Sequence, residues 1–289
     1  MGPRGDFRLP EPQSRGPKLL DFGDGGVRSI VVAVVSTAVV FGGIGWLLVN
    51  SSGWSLFQAA FLDGGYFADS WPRQVAAFVT NIQLFLIAEV LILPLALLIA
   101  VLRSLPGPAF FPLRLFALVY TDFFRGVPGI LIILWLGFGI PALGLPGVPN
   151  DPFIWGVVSL VLVYSAYVAE VYRAGIQSIH PSQTAAARSL GLSSLQALRF
   201  VVIPQAIRRV IPPLLNDFIG LQKDTALVST IGVVEVFRQA QIDESASFNF
   251  TPYLATALLF LLITIPMARF TDWLVARDRR RQLAGGAIR

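Results

Sequence analysis

Five ionisable side chains stand in stretches that are otherwise apolar: Glu89, Glu170, Asp217, Lys223 and Asp224. An ionised group at mid-bilayer costs at least about 2.5–3.5 kcal/mol on insertion scales, so such groups are paired or line a wet cavity. Between Ile211 and Val234, residues Asn216, Gly220, Lys223, Leu227 and Thr230 follow 3–4 spacing, flanked by Asp217 and Asp224. This is a polar stripe on an apolar helix. Lys223 and Asp224 are sequence neighbours, point about 100° apart and cannot neutralise each other, so each needs a partner elsewhere. Two readings of Lys223 follow. In one it pairs permanently with Glu89 or Glu170 and holds a bundle together. In the other it faces a translocation path with Glu89, Asn216, Asp217, Asp224 and Thr225, and attracts a carboxylate of the substrate. Glu170 and Arg173, three residues apart, read as a local salt bridge.

Other chemistry is excluded by what the sequence lacks. There is no cysteine, hence no disulfide, zinc thiolate or thiol nucleophile. The single histidine, His180, cannot build a multi-histidine metal site. An intramembrane enzyme would need paired acids, or a Ser–Lys or His constellation, at one depth; His180 in a loop offers none. Neither catalytic nor metal-ligating residues are expected. A phosphate-binding P-loop needs Gly-Lys-Ser/Thr. The two lysines, Lys18 after Pro17 and Lys223 before Asp224, do not fit it. No cofactor is expected here, and ATP must bind a partner chain.

The elements that hold these residues are transmembrane helices. Hydrophobic residues make up 55% of the 289 and charged residues 13%, with a mean hydropathy of +0.69. Charged residues are usually about a quarter of a soluble domain, so lipid must be the solvent for much of this surface. Residues 1–27, rich in proline and glycine, read as a disordered tail. Residues 28–50 contain an apolar run, Ser29 to Val49, long enough to cross about 30 Å of hydrocarbon. It exceeds a signal-peptide core and reads as an uncleaved helix. Residues 51–74 read as an extracytoplasmic connector. Further spans are expected at Ile82–Leu102, Gly126–Leu143, Phe153–Tyr172, Ile211–Val234 and Pro252–Phe270, with Phe110–Phe124 as an interfacial elbow and 276–289 as a basic tail. The fold class is therefore an all-α integral membrane protein of about six spans. If the N-terminus is cytoplasmic, 19 of the 22 Lys and Arg fall in inner segments and two, Arg73 and Arg238, in outer ones. The positive-inside rule then places both termini in the cytoplasm. The net charge of +5 thus reports orientation, and no nucleic acid is expected as a partner.

The inner segment 173–209 carries its own structural signals. Pro181 suits the first position of a helix, and Gly191 sits where a left-handed cap belongs. Ser193 with Gln196 forms a capping box for a second short helix. Leu195, Leu198 and Val202 share one face, and Pro204 ends the helix. Two short helices at an angle, exposed to the cytoplasm, make either a docking knob or a loop packed on its own bundle.

Ala185-Ala-Ala-Arg-Ser-Leu-Gly-Leu192, followed by Val201-Val-Ile-Pro-Gln-Ala206, resembles the "EAA" loop of permeases of ATP-binding-cassette importers. Further matches fall in order: Asp122-Phe-Phe-Arg-Gly-Val-Pro128, Tyr167-Val-Ala-Glu-Val-Tyr-Arg-Ala-Gly-Ile176, Asn216-Asp-Phe218, and Lys223-Asp-Thr-Ala-Leu-Val-Ser-Thr-Ile-Gly232 with Glu235. As an ordered set they are similar to the polar amino acid branch of that family, over about residues 75–275. The resemblance implies a type I importer permease bundle with coupling loop 176–206, in which Ala185, Ala186, Ala187, Leu190, Gly191, Leu195 and Pro204 meet the ATPase. It also implies ATP-binding-cassette ATPase subunits, a second permease (identical or a sister chain), an extracytoplasmic solute-binding protein, a polar amino acid substrate and a bacterial inner membrane. Two positions depart from the pattern: the glutamate naming the loop is Ala185, and a common threonine is Val127. The family core has five spans with its N-terminus outside, so the extra first helix reverses the start and agrees with the charge count. The rival transport class is an ion-coupled secondary amino acid carrier, which an internal repeat would mark; none is found.

Overall fold

The computed structural model describes residues 26–105 and 107–286, and all regular structure among them is helical. The tail expected at 1–27 lies almost wholly outside the described residues. The chain divides after Gln58 into two units. The first contains α1 (Gly26–Val49), whose large side chains between Ile30 and Val49 are exposed. Apolar all round, it suits lipid. The short α2 (Trp54–Phe61) follows.

In the second unit, α3 (Gly64–Ser104) runs 41 residues, about 60 Å at 1.5 Å per residue. That is twice the hydrocarbon thickness. Residues 51–74 are therefore largely helical, and Ile82–Leu102 is the C-terminal half of a longer rod. Asp63 starts it by accepting the Tyr66 N–H at 2.9 Å. Next come α4 (Phe111–Gly126), α5 (Gly129–Leu134), a π turn (Trp135–Gly139) and α6 (Ile140–Ala142). A 105° bend separates α4 from the α5–α6 segment. Its cause is local: Val127, held extended by the following proline, and Pro128 cannot continue α4.

Asp151 caps α7 (Pro152–Gln177), the central helix of the unit. α7 pairs most extensively with α3 and also packs on α10, α4 and α5. Small residues serve the shared core, Ala88, Ala96 and Ala100 from α3 and Ala169 from α7, which lets the backbones approach. After α8 (Pro181–Ser189) and α9 (Ser194–Ala197) the chain passes through a π turn (Leu198–Val202) into α10 (Ile203–Asp224) and a 3₁₀ segment (Thr225–Ile231). α11 (Val236–Ser247) and α12 (Thr251–Gly286) complete it, and the tail expected from 276 continues α12 as helix.

One expectation needs correction. Pro204 does not end a helix, because the π turn shifts the register: Ile203 N–H bonds to Leu198 O, five residues back. That wider turn accommodates the N–H that proline lacks. The expected count of about six spans agrees in outline with the helices found. Among the described residues four helices are long and apolar enough to cross a membrane, and the bent α4–α6 segment makes a fifth candidate. The sixth, Ile211–Val234, is α10 with its 3₁₀ extension. Its polar residues take it below that apolarity, and it packs on both α7 and α12.

Candidate functional site

The segment between α7 and α10 folds as a knob. His180 Nδ1 accepts the Ser182 N–H at 3.2 Å, and Pro181 opens α8, where no N–H is needed. Gly191 stands at φ +86°, and its N–H bonds to Arg188 O at 3.0 Å. Leu192 N–H reaches Ala187 O at 3.3 Å, closing the α8 end. Ser193 N–H donates to Gln196 Oε1 (2.8 Å) while Gln196 N–H donates to Ser193 Oγ (3.2 Å), the reciprocal capping box. Ala187 is buried, whereas Ala185, Ala186 and Leu190 are exposed, Leu190 by 85%. Between the short helices lies an open groove of about 710 Å³, lined by Ile176, Ile179, Ala185, Leu198 and Val202 among others. The expected common face of Leu198 and Val202 is split by the π turn: Val202 is buried and Leu198 is not. Leu195 sits in α9, with its side chain outside the described ones. Pro204 is in the first turn of α10.

The knob is tied to both neighbouring helices. Ile179, Val202 and Ala206 form a small buried cluster beneath it, and Arg209 of α10 donates to the Ser178 carbonyl.

Farther along the same two helices lie the residues expected to form the path. The stripe on α10 is two faces rather than one, since neighbours such as Asn216 and Asp217 diverge by about 100°. Asp217 and Asp224 turn toward α7, where Tyr164 Oη donates to Asp224 Oδ2 at 2.8 Å. Asn216, Lys223 and Thr230 are exposed on the other face. Among the described residues no carboxylate lies within ion-pair distance of Lys223. Glu170 is engaged by Arg103 of α3 at 2.7 Å and by Arg173 in its own helix. Glu89 Oε1 and Asp217 Oδ2 are buried without a hydrogen-bond partner. The permanent pairing of Lys223 with Glu89 or Glu170 is therefore not the arrangement found.

Thr225 belongs elsewhere. Its hydroxyl accepts from Asn81 Nδ2 at 3.0 Å and donates to Gln222 O at 2.7 Å. Asn81 also donates to Glu235 Oε2 (2.9 Å) and accepts the Val236 N–H (3.0 Å). Glu235, fully buried, accepts the N–H groups of Phe237 (2.9 Å) and Arg238 (2.7 Å) and so caps α11. Along the same helices Asp243 takes Arg73 (3.1 Å), Gln74 (3.1 Å) and Gln239 (3.0 Å), and Gln74 Oε1 accepts from Thr256 Oγ1 at 3.1 Å. This polar hub binds α3, the 3₁₀ segment, α11 and α12. Sequence reasoning missed it except for Glu235, although a carboxylate immediately before a helix is a legible cap signal. Replacing Glu235 with alanine strands several buried donors, each costing about 1–3 kcal/mol. Thermal unfolding followed by tryptophan fluorescence should show a marked loss for Glu235→Ala and a smaller one for Glu235→Gln, which keeps an acceptor; equal stability of both to the parent would refute the hub's role.

Residues 92–280 match the family described as "Binding-protein-dependent transport system inner membrane component". The chain is 35% identical over 153 residues to the glutamine transport system permease protein GlnP of Escherichia coli K12, covering 53% of this chain and 69% of that one. It is 33% identical over 211 residues to the glutamate transport system permease protein GluC of Corynebacterium efficiens, covering 69% and 91%. A crystal structure of an amino acid ABC transporter with histidines superposes with a TM-score of 0.68 at 33% identity, over 74% of this chain and 98% of that one.

Proposed function

The chain belongs to the family of binding-protein-dependent transport system inner membrane components, and on that premise we propose that it carries a polar amino acid inward across the bacterial cytoplasmic membrane, with both termini in the cytoplasm. It is a multi-pass ABC-transporter permease of the type I importer fold, and the family implies an ATPase partner and a second permease. In our reading the α8–Gly191–α9 knob seats in the ATPase, a solute-binding protein delivers from outside, and the second permease is this chain again or a sister. The exposed α10 face, Asn216, Lys223 and Thr230, lines the path, together with Glu89, Asp217 and Asp224, whereas Thr225 is held in the buried hub.

One observation carries this reading. The knob grows directly out of α7 and α10, and the seam between those helices holds Tyr164, Asp217 and Asp224. Closure of the ATPases on ATP would push the knob, and the push reaches the polar seam without an intervening loop. The alternation of an outward- and an inward-facing path follows from a two-state movement of this kind. The test is uptake of radiolabelled glutamine, glutamate, histidine and arginine into proteoliposomes holding the permease, its ATPase and its binding protein. Uptake should require ATP and ignore protonophores and sodium ionophores. Uptake that persists without ATP and collapses with an ionophore would instead establish an ion-coupled carrier.

A further inference from the structure

At the cytoplasmic end of the α7–α10 seam, where α4 also ends, lies an open cavity of about 370 Å³ whose charged and titratable lining is Arg125, Tyr167, Glu170, Arg209 and Asp217. Two of these charges are already committed. Glu170 is held between Arg103 and Arg173, and Arg209 donates to the Ser178 carbonyl. Two remain. Arg125 lies over the Tyr167 ring at 5.8 Å and makes no hydrogen bond among the described residues. Asp217 has one oxygen buried without any partner. Glu89, which does not line the cavity, has an equally unpartnered buried oxygen.

A guanidinium and a carboxylate left free across one small cavity are the complement of a zwitterion. A carboxylate takes a guanidinium in paired, charge-assisted hydrogen bonds, and an ammonium does the same for a buried carboxylate. The Tyr167 ring, already a platform for Arg125, walls the cavity beside them. We infer that this cavity is an inward-facing binding site for the α-amino-acid head group, with the carboxylate on Arg125 and the ammonium on Asp217. It is separate from the exposed Lys223 face and from the Tyr164–Asp224 pair. The site rests on the proposed amino acid cargo and gives that cargo a last station before release.

The absence of cysteine supplies a clean reporter. Ala174, an exposed lining residue, is replaced by cysteine, and its alkylation rate is followed in inside-out membrane vesicles holding the permease with its ATPase, without nucleotide. Glutamine and arginine should slow labelling in a saturable way. N-acetylglutamine, lacking the ammonium, and agmatine, lacking the carboxylate, should each protect about tenfold more weakly, as for one lost charge-assisted contact. Arg125→Gln and Asp217→Asn should weaken glutamine protection by a similar factor, and Arg125→Lys should retain part of it. The proposal is overturned if no amino acid alters labelling while the same complex still takes up amino acids in proteoliposomes. It is overturned equally if the acetylated and decarboxylated compounds protect as well as glutamine does. Because labelling needs neither ATP nor binding protein, protection without uptake would count against the proposed import and not against this site.

Discussion

Gly175→Leu should abolish uptake and lower the thermal stability of the permease. Gly175 is buried where α7 crosses α10, and a Cβ placed there would overlap the Val210 side chain and lie 3.6 Å from the Ala206 carbonyl. Val210 and Ala206 are themselves buried, so neither can swing into solvent. Overpacking of this kind typically costs about 1–3 kcal/mol, and a leucine can be housed only by prising the two helices apart. That separation also pulls Ser178 from Arg209, the bond that ties the knob to α10. Transport should therefore fall further than stability does. The double variant Gly175→Ala/Val210→Ala offers the decisive comparison. Removing the Val210 methyls makes room for one Cβ, so the pair should recover much of the stability and uptake that Gly175→Ala alone loses. Wild-type uptake by Gly175→Leu would mean that α7 and α10 need not stay in register for the ATPase stroke to reach the membrane.

How far the sequence reached depended on the range of each signal. Local signals were read correctly: the proline at the start of α8, the left-handed glycine, the capping box and the salt bridge of Glu170 with Arg173 all depend on residues within a turn of one another. The apolar runs located the helices, but their ends were misplaced where a helix leaves the lipid without ceasing to be a helix. α3 is the case in point. Gln74 and Asn81 fall outside the expected span Ile82–Leu102, yet both are buried in the same helix against α11 and α12. The α10 stripe shows a different limit. Spacing fixes the direction of each side chain about its own axis and says nothing of which neighbour stands there. Asp217 and Asp224 met α7, Lys223 found no carboxylate among the described residues, and only the tertiary arrangement separates them. The π turn at Leu198–Val202 was invisible because nothing in Leu-Arg-Phe-Val-Val distinguishes a five-residue turn from an ordinary one. The proline after it was taken for a stop.

Gly191 offers the second large effect, and it isolates conformation from packing. Nothing lies within 4 Å of a Cβ built on Gly191, so a side chain there meets no steric barrier. What resists substitution is the backbone, at φ +86°. An L-residue in that region pays about 1–2 kcal/mol, a β-branched residue more, and asparagine least. The knob has little to offset such a cost: α8 is nine residues and α9 four, with Ala187 the one buried side chain of α8. Gly191→Val should therefore let the turn relax, swing α9 away from α8 and break the capping box of Ser193 with Gln196. The spans themselves, held by α3, α7, α10 and α12, should be untouched. The expected result is a protein that inserts and unfolds like the parent but fails to retain its ATPase on affinity purification and shows no ATP-driven uptake. Gly191→Asn should keep both activities nearly whole, and Gly191→Ala should fall between. That ordering follows from φ alone. If alanine and asparagine were equally damaging, the open space around Gly191 would have to be filled by the partner subunit, and the residue would matter for its lack of a side chain rather than for its turn. If Gly191→Val supported normal uptake, the knob would not be the element on which the ATPase acts.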